Sequence, residues 1–315
     1  MKITVLDAAT LGNDVTFDKW QALGELTVYA TTPQNEVVNR LKNSTVAILN
    51  KVKMTGEILA ALPELRLICV TATGYDNIDI NACKELNIAV CNVKGYSTHS
   101  VAQVTLTLAL ALMTHLPEYS ECVKNGEYTK SGVQNCLTPV FCELYGKTFG
   151  IIGLGNIGKQ VARVAEAFGC RVLCFKRTPE QNYNCVDLET LLKESDIITL
   201  HLPLSEQTKN IIGKKELALM KKSAILVNAA RGAVTDEAAI ADAVENGIIG
   251  GFATDVYSVE PLQENSPLQR IKNLPNVILT PHMAWGAYES RVRCINEIAE
   301  NIKAFLKGEN KNRII

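Results

Sequence analysis

The chain of 315 residues lacks the features of several protein classes. Lys and Arg number 32 against 33 Asp and Glu, so no basic excess is present to neutralise a nucleic-acid backbone. The longest apolar stretch, 101–113, is interrupted by polar residues and is too short to cross a bilayer. The first residues lead into a strand-like run without the pattern of a signal peptide. We therefore expect no nucleic-acid partner, no membrane association and a cytoplasmic location.

Metal and disulfide patterns are missing as well. The ten cysteines form no Cys-x-x-Cys pair, and no nearby histidine completes a zinc pattern. Cys69, Cys91 and Cys174 lie inside strand-like runs, where cysteine behaves as a small hydrophobic residue. We expect reduced thiols and no metal.

Two series of β-branched runs alternate with helix-length segments, the first over 3–91 and the second over 149–279. Strands that alternate with helices favour parallel sheets covered on both faces, so the sequence predicts two α/β units. Long helices are predicted from Ser100 to about Cys122 and from Tyr288 to Leu306. These helices either belong to ordinary cores or cross between the units, and the pattern alone does not choose.

The second series opens with a glycine-rich motif. Gly153, Gly155 and Gly158 follow a strand-like run and open a helix-like segment, together with Asn156 and Ile157. Glycines at this spacing permit a tight turn beside a pyrophosphate, and a helix N-terminus favours negative charge. In this context the motif predicts a dinucleotide site.

The end of the next strand carries Lys176, Arg177 and Thr178 where an acidic residue would hold the ribose of NAD. Two cations and a hydroxyl suit a 2′-phosphate, so the sequence favours NADP over NAD. The alternative is a solvated basic turn, with the ribose held by main chain.

Three further strand-like runs are each followed by a polar side chain: Arg231, Glu260 and His282. Ligands of open α/β sheets bind beyond the carboxyl ends of the strands, so these side chains are expected at one crevice. For each of these side chains taken singly, the alternative is an ordinary structural role.

The chain resembles the D-isomer-specific 2-hydroxyacid dehydrogenases, and within them the glycerate dehydrogenase/hydroxypyruvate reductase branch. The matching segments are 50–52, 73–79, 95–98, 100–103, 143–148, the glycine motif and the three strand-end motifs. Ser-Val-Ala-Gln at 100–103 and Thr-Pro-His-x-Ala-Trp at 280–285 indicate that branch.

The resemblance implies a Rossmann cofactor domain over 100–287 and a discontinuous, flavodoxin-like substrate domain over 1–99 and 288–315. It implies Arg231, Glu260 and His282 as catalytic residues, and Thr73 and Gly74 as donors to the substrate carboxylate, with Arg231, His282 and Trp285 also at the substrate. The remaining expected cofactor residues, beside the glycine motif and 176–178, are Thr105, Leu202, Pro203, Thr208, Ala229, Ala230, Arg231, Asp255, His282, Ala284 and Trp285.

The expected reaction is reduction of hydroxypyruvate to D-glycerate with NADP or NAD, and glyoxylate is an expected second substrate. His282 would donate the proton, Glu260 would orient its ring and Arg231 would hold the carboxylate. A broader 2-oxo acid reductase and, more remotely, a nucleotide-sensing corepressor are the alternatives. The resemblance also implies a homodimer formed through the cofactor domains.

Overall fold

The computed structural model describes residues 1–315 and divides into two compact units. One unit consists of Met1–Ser97 with Trp285–Ile315, and the other of Thr98–Ala284. The boundaries expected from the sequence lie two to three residues away from these.

Eleven strands and twelve helices make up the chain. The strands are β1 (Lys2–Val5), β2 (Glu25–Val28), β3 (Val46–Leu49), β4 (Leu67–Val70), β5 (Ala89–Cys91), β6 (Thr148–Ile152), β7 (Arg171–Phe175), β8 (Ile197–Leu200), β9 (Ile225–Asn228), β10 (Gly251–Thr254) and β11 (Val277–Leu279). The helices are α1 (Asp18–Gln21), α2 (Val37–Leu41), α3 (Gly56–Ala60), α4 (Ile80–Glu85), α5 (Thr98–Met113), α6 (Leu116–Lys124), α7 (Glu127–Ser131), α8 (Asn156–Ala167), α9 (Leu188–Glu194), α10 (Lys214–Leu219), α11 (Glu237–Glu245) and α12 (Tyr288–Leu306). Short 3-10 helices lie at Ala8–Leu11, Gln34–Glu36, Gly232–Val234 and Pro267–Arg270.

The first unit contains a parallel sheet with the strand order β2-β1-β3-β4-β5, which is the flavodoxin-like order. Strands β3 and β4 are buried along their whole length, because helices cover both faces of the sheet. Helix α12 packs on this sheet through an apolar face that includes Ile295, Ile298 and Ile302. The indole N–H of Trp20 donates to the carbonyl of Ile295 at 2.9 Å.

The second unit contains a six-stranded parallel sheet ordered β7-β6-β8-β9-β10-β11. A single parallel bridge between Cys174 on β7 and Cys185 takes the place of a further strand beyond β7. With that bridge included, the order from this edge through β10 is the 3-2-1-4-5-6 of dinucleotide-binding domains, and β11 is added beyond it. The predicted fold class, two α/β units with parallel sheets, is confirmed.

Helix starts follow local sequence signals in several places. The side chains of Asp79, Asp187 and Asp236 accept hydrogen bonds from backbone N–H groups at the starts of α4, α9 and α11. Such caps satisfy donors that the helix itself leaves without partners.

The predicted single helix from Ser100 to about Cys122 is wrong, because α5 and α6 are separate helices bent by 64°. His115 lies between them in the left-handed region at φ +50°, and Pro117 has no N–H with which to continue the ladder of α5. The predicted C-terminal helix Tyr288–Leu306 is confirmed. No single helix is long and apolar enough to span a membrane, and only the bent pair α5 and α6 meets the length and composition requirement.

Candidate active site

The glycine motif forms the turn between β6 and α8. Gly153 has φ +102°, and a Cβ there would lie 2.6 Å from the carbonyl oxygen of His201. A Cβ on Gly158 would lie 2.2 Å from the carbonyl oxygen of Gly153, so neither position accepts a side chain. Gly155 precedes the 12-residue helix α8 and has no atom within 4 Å of its Cβ position. The turn thus packs tightly on the protein side and leaves open space at a helix N-terminus, which fits a dinucleotide pyrophosphate.

The turn after β7 lies beside this motif, because the N–H of Gly153 donates to the carbonyl of Phe175 at 2.9 Å. Lys176 follows directly and is partly buried, whereas Arg177 and Thr178 are exposed. The predicted basic turn therefore exposes two of its three side chains to solvent.

Glu180 was not singled out by the sequence, although it lies four residues after Lys176. Its carboxylate accepts a hydrogen bond from Lys176 through one oxygen, and its other oxygen lies 2.7 Å from Nζ of Lys159 on α8. The hydrogen bonds from Lys159 and Lys176 lower the pKa of Glu180 below its usual value. The hydrogen bond between Lys159 and Glu180 also raises the pKa of Lys159. We call Lys159, Lys176 and Glu180 the β7 cluster.

The other expected cofactor residues of this unit lie on α5 and in the loops after β8 and β9. Leu202 contacts the glycine motif, with its Cδ2 3.0 Å from the Cβ position of Gly153. Thr105 uses its hydroxyl within α5, where it donates to the carbonyl of Val101 at 2.8 Å. Thr208 donates to the carbonyl of Pro203 at 2.7 Å, which closes the loop after β8.

His282 and Glu260, which the sequence placed at one crevice, are in direct contact. Nδ1 of His282 lies 2.6 Å from Oε2 of Glu260, and the N–H of Tyr257 donates to Oε1 of Glu260 at 3.2 Å. The two side chains are 24% and 29% exposed, so a ligand can reach them. His282 adopts φ +53°, and this left-handed residue turns the chain directly after Pro281. With Nδ1 engaged by the carboxylate, Nε2 is the nitrogen available to a ligand.

Arg231 lies in the loop after β9, which is organised by one asparagine. The amide of Asn228 donates to the carbonyl of Arg231 at 3.0 Å, and its oxygen accepts from the N–H of Ala230 at 3.0 Å. The guanidinium donates to the carbonyl of Ala230 at 2.8 Å through Nη1. Its remaining N–H groups form a planar fork that suits a carboxylate. Ala229, the residue before Ala230, lies in the same loop.

Close backbone packing joins the Arg231 loop to the Glu260 loop. A Cβ on Gly232 would lie 1.9 Å from the carbonyl carbon of Tyr257 and 2.2 Å from the nitrogen of Ser258. The hydroxyl of Tyr257 in turn donates to the carbonyl of Thr280, just before His282, at 2.9 Å. Burial raises the pKa of Tyr257 to about 12, so this donor stays protonated at neutral pH. The three loops after β9, β10 and β11 are therefore held together.

Asp255 fixes the His282 loop from inside. Its buried carboxylate accepts hydrogen bonds from the hydroxyl of Thr280 at 2.6 Å and from the N–H groups of Met283 and Ala284 at 2.9 and 2.7 Å. This carboxylate shapes the loop that carries His282, and contacts of Asp255 and Ala284 with a cofactor stay predictions.

The first unit holds the other expected substrate residues. Thr73 and Gly74 lie in the bend after β4, and their backbone N–H groups donate to no atom of the chain. The hydroxyl of Thr73 donates to the carbonyl of Val93 at 2.8 Å, which fixes the bend. Trp285 packs edge-on against Tyr96 within this unit, with 6.3 Å between ring centroids.

Sequence reasoning missed the residues that support the reactive side chains. Gly232 and Tyr257 lie in the strand-end motifs, but the sequence indicated a function only for Arg231 and Glu260 in them. Glu237, at the start of α11, accepts from the N–H of Ser258 at 2.7 Å and from the hydroxyl of Ser266 at 3.1 Å. These contacts join positions more than 20 residues apart, and no local pattern indicates them.

Similarity to known proteins extends over almost the whole chain. A sequence model described as D-isomer specific 2-hydroxyacid dehydrogenase, NAD binding domain, matches residues 106–284. The chain is 40% identical to a glycerate dehydrogenase of Methylorubrum extorquens over 314 residues, covering 99% of this chain and 98% of that protein. It is 36% identical to a hydroxypyruvate reductase of Blautia hydrogenotrophica over 322 residues, covering 99% of each. A solved structure of an acyclic imino acid reductase in complex with NADPH and D-Arg has a TM-score of 0.89 at 32% identity, covering 100% of both chains.

Proposed function

Because the chain belongs to the D-isomer specific 2-hydroxyacid dehydrogenases, we propose that it reduces hydroxypyruvate to D-glycerate, with glyoxylate as a second substrate. It is an NAD(P)-dependent oxidoreductase of that family. The observation that carries the proposal is the contact of His282 with Glu260, held in one assembly of loops with Arg231.

Reduction of a 2-oxo acid needs a hydride at the carbonyl carbon and a proton at the carbonyl oxygen. The bound nicotinamide supplies the hydride. Protonated His282 donates the proton from Nε2, because its Nδ1 is held by Glu260 at 2.6 Å. Glu260 holds Nδ1 and orients the ring, so the proton leaves from the opposite nitrogen.

Substrate binding is assigned to Arg231 and to the first unit. The guanidinium of Arg231 binds the carboxylate and the carbonyl oxygen of the 2-oxo acid through its planar fork. The N–H groups of Thr73 and Gly74 are assigned to binding of a substrate carboxylate, in keeping with their lack of any acceptor within the chain. Trp285 limits the size of the substrate side chain. The unit of residues 1–97 and 285–315 thus contributes substrate-binding groups, and the unit of residues 98–284 binds the cofactor and carries Arg231, Glu260 and His282.

NADP is the proposed preferred cofactor, supported by the cations at the end of β7. Lys176 follows the residue that anchors the glycine motif, and Arg177 is exposed without an ion-pair partner. Both lie where the ribose 2′-position of a dinucleotide is bound in this fold.

A homodimer formed through the cofactor unit is the proposed assembly. Seven large apolar side chains are exposed between residues 116 and 145, and Val140 among them is 81% exposed. Such a concentration marks an interaction surface. Light scattering that gives a monomer at every concentration would contradict the dimer, and Val140→Lys is expected to weaken it.

All ten cysteines are free thiols, which fits a cytoplasmic location.

The reaction is tested by initial rates with hydroxypyruvate, glyoxylate, pyruvate and a branched 2-oxo acid, each with NADPH and with NADH. We expect the highest kcat/KM with hydroxypyruvate and NADPH. Faster reduction of the branched acid would replace the proposal with a broader 2-oxo acid reductase. Binding of reduced cofactor without turnover of any acid would favour a nucleotide-sensing role.

A further inference from the structure

The β7 cluster is an ion-paired arrangement in which one carboxylate contacts two ammonium groups. Glu180 contacts Lys176 with one carboxylate oxygen and Lys159 with the other, at 2.7 Å in the second case. The three side chains are 30–37% exposed, so an incoming anion can reach them. One carboxylate thus occupies two ammonium groups that would otherwise be free for a ligand.

The position of the cluster relates it to the dinucleotide. Lys176 follows Phe175, whose carbonyl accepts from Gly153 at the start of the glycine motif. Lys159 lies in the first turns of α8, directly after Gly158, the last residue of that motif. In this fold the end of the second strand faces the adenosine ribose, so Lys176 and Lys159 lie on the side where NADP carries its 2′-phosphate.

We propose that Glu180 is an internal competitor of the 2′-phosphate for Lys176 and Lys159, and that it thereby sets the preference between NADP and NAD. This inference rests on the proposed cofactor use and assigns its specificity to a residue outside the glycine motif. Glu180 is a specificity-determining residue and takes no part in the chemistry of reduction.

The charges of the cluster give the direction of the effect. A phosphate monoester carries about −1.5 to −2 charges near neutral pH, and the cluster, with two lysines and one carboxylate, carries only +1. A 2′-phosphate must therefore displace Glu180 or bind beside its negative charge. The two lysine partners lower the pKa of Glu180 below its usual value, so the lysines favour the ionised carboxylate that competes with the phosphate. A ligand with a free 2′-hydroxyl meets no such competition.

The test uses the full chain and calorimetric titration with 2′,5′-ADP and with 5′-AMP, which differ by the 2′-phosphate alone. Glu180→Gln keeps the size of the side chain and removes its charge. We expect the variant to bind 2′,5′-ADP about tenfold more tightly, and 5′-AMP within about twofold of the original affinity. Glu189→Gln, which removes an exposed ion pair with Lys193 on α9, is the matched control and should change neither affinity.

A second variant protects the test against a failure of Glu180→Gln to fold. Lys176→Gln should weaken the binding of 2′,5′-ADP in the original background, and it should reduce the gain in the double variant to the part that Lys159 alone supplies. Unchanged or weaker 2′,5′-ADP binding by Glu180→Gln, an equal change for both nucleotides, or no binding of either would each overturn the inference. Because the readout is binding, failure to reduce hydroxypyruvate would remove the proposed reaction and leave this inference standing.

Discussion

Gly232 has no reactive group, yet its substitution should damage the reaction as severely as loss of a reactive side chain. In Gly232→Ala the new Cβ would lie 1.9 Å from the carbonyl carbon of Tyr257, and the backbone must move by about 1.5 Å to restore an ordinary 3.4 Å contact. That backbone leads to Glu260, which contacts His282 at 2.6 Å. The displacement therefore moves Arg231 away from Glu260 and His282, or moves Glu260 away from His282.

A misplacement of about 1 Å in reacting groups costs about 10²-fold in rate, so we expect kcat/KM of Gly232→Ala to fall by about 10²-fold, or about 2.7 kcal/mol. Overpacking should lower the free energy of unfolding by only about 1–3 kcal/mol, which leaves the protein folded. Affinity for reduced cofactor, measured by fluorescence titration, should change far less than the turnover of hydroxypyruvate.

The matched control is Gly213→Ala at the start of α10, where the nearest atom lies 3.4 Å from the Cβ position. This variant should keep the original activity. If folded Gly232→Ala has kcat/KM within threefold of the original chain, the reasoning that close backbone packing positions Glu260 is refuted.

The remaining predictions concern the side chains of His282, Glu260 and His201. His282→Gln should lose at least about 10²-fold in turnover while cofactor binding survives, and a near-normal rate would remove His282 from the mechanism. Glu260→Gln replaces the carboxylate that contacts Nδ1 of His282 at 2.6 Å and orients its ring, so the turnover of hydroxypyruvate should fall while cofactor binding survives, and an unchanged turnover would contradict the pairing. Burial lowers the pKa of His201 to about 3, and its Nδ1 has no hydrogen-bond partner. The unfolded chain binds this proton near pH 6.5, so acid favours unfolding, by up to about 2 kcal/mol between pH 6.5 and 5. His201→Asn should reduce that loss in urea unfolding at the two pH values, and an equal loss in His201→Asn would contradict the argument.

The structure shows contacts between residues that the sequence placed only at a common edge of the sheet. Arg231, Glu260 and His282 were expected at one edge because each follows a strand of a parallel sheet, and that rule needs only the order of the elements. The contact of 2.6 Å between His282 and Glu260, and the role of Tyr257 between their loops, depend on how the loops fold on each other.

The β7 cluster shows the same division on a smaller scale. The basic residues at 176 and 177 were visible as a departure from the acidic residue that binds the ribose of NAD. The ion pairing with Glu180 was not visible in the sequence, because Lys159 contacts Glu180 from a different element, α8. A charge pattern predicts which ions are present, and tertiary contacts decide which of them are free.

The sequence by itself determined the two α/β units, the glycine motif and the positions of Arg231, Glu260 and His282 after successive strands of the second unit. These features depend on strand and helix periodicity and on backbone turns that a few adjacent residues specify. Only the tertiary structure decided the break between α5 and α6, the approach of Gly232 to Tyr257 and the competition for Lys176. Each of those depends on packing between segments distant in the chain, where a shift of about 1 Å changes the outcome and leaves the local pattern of residues unaltered.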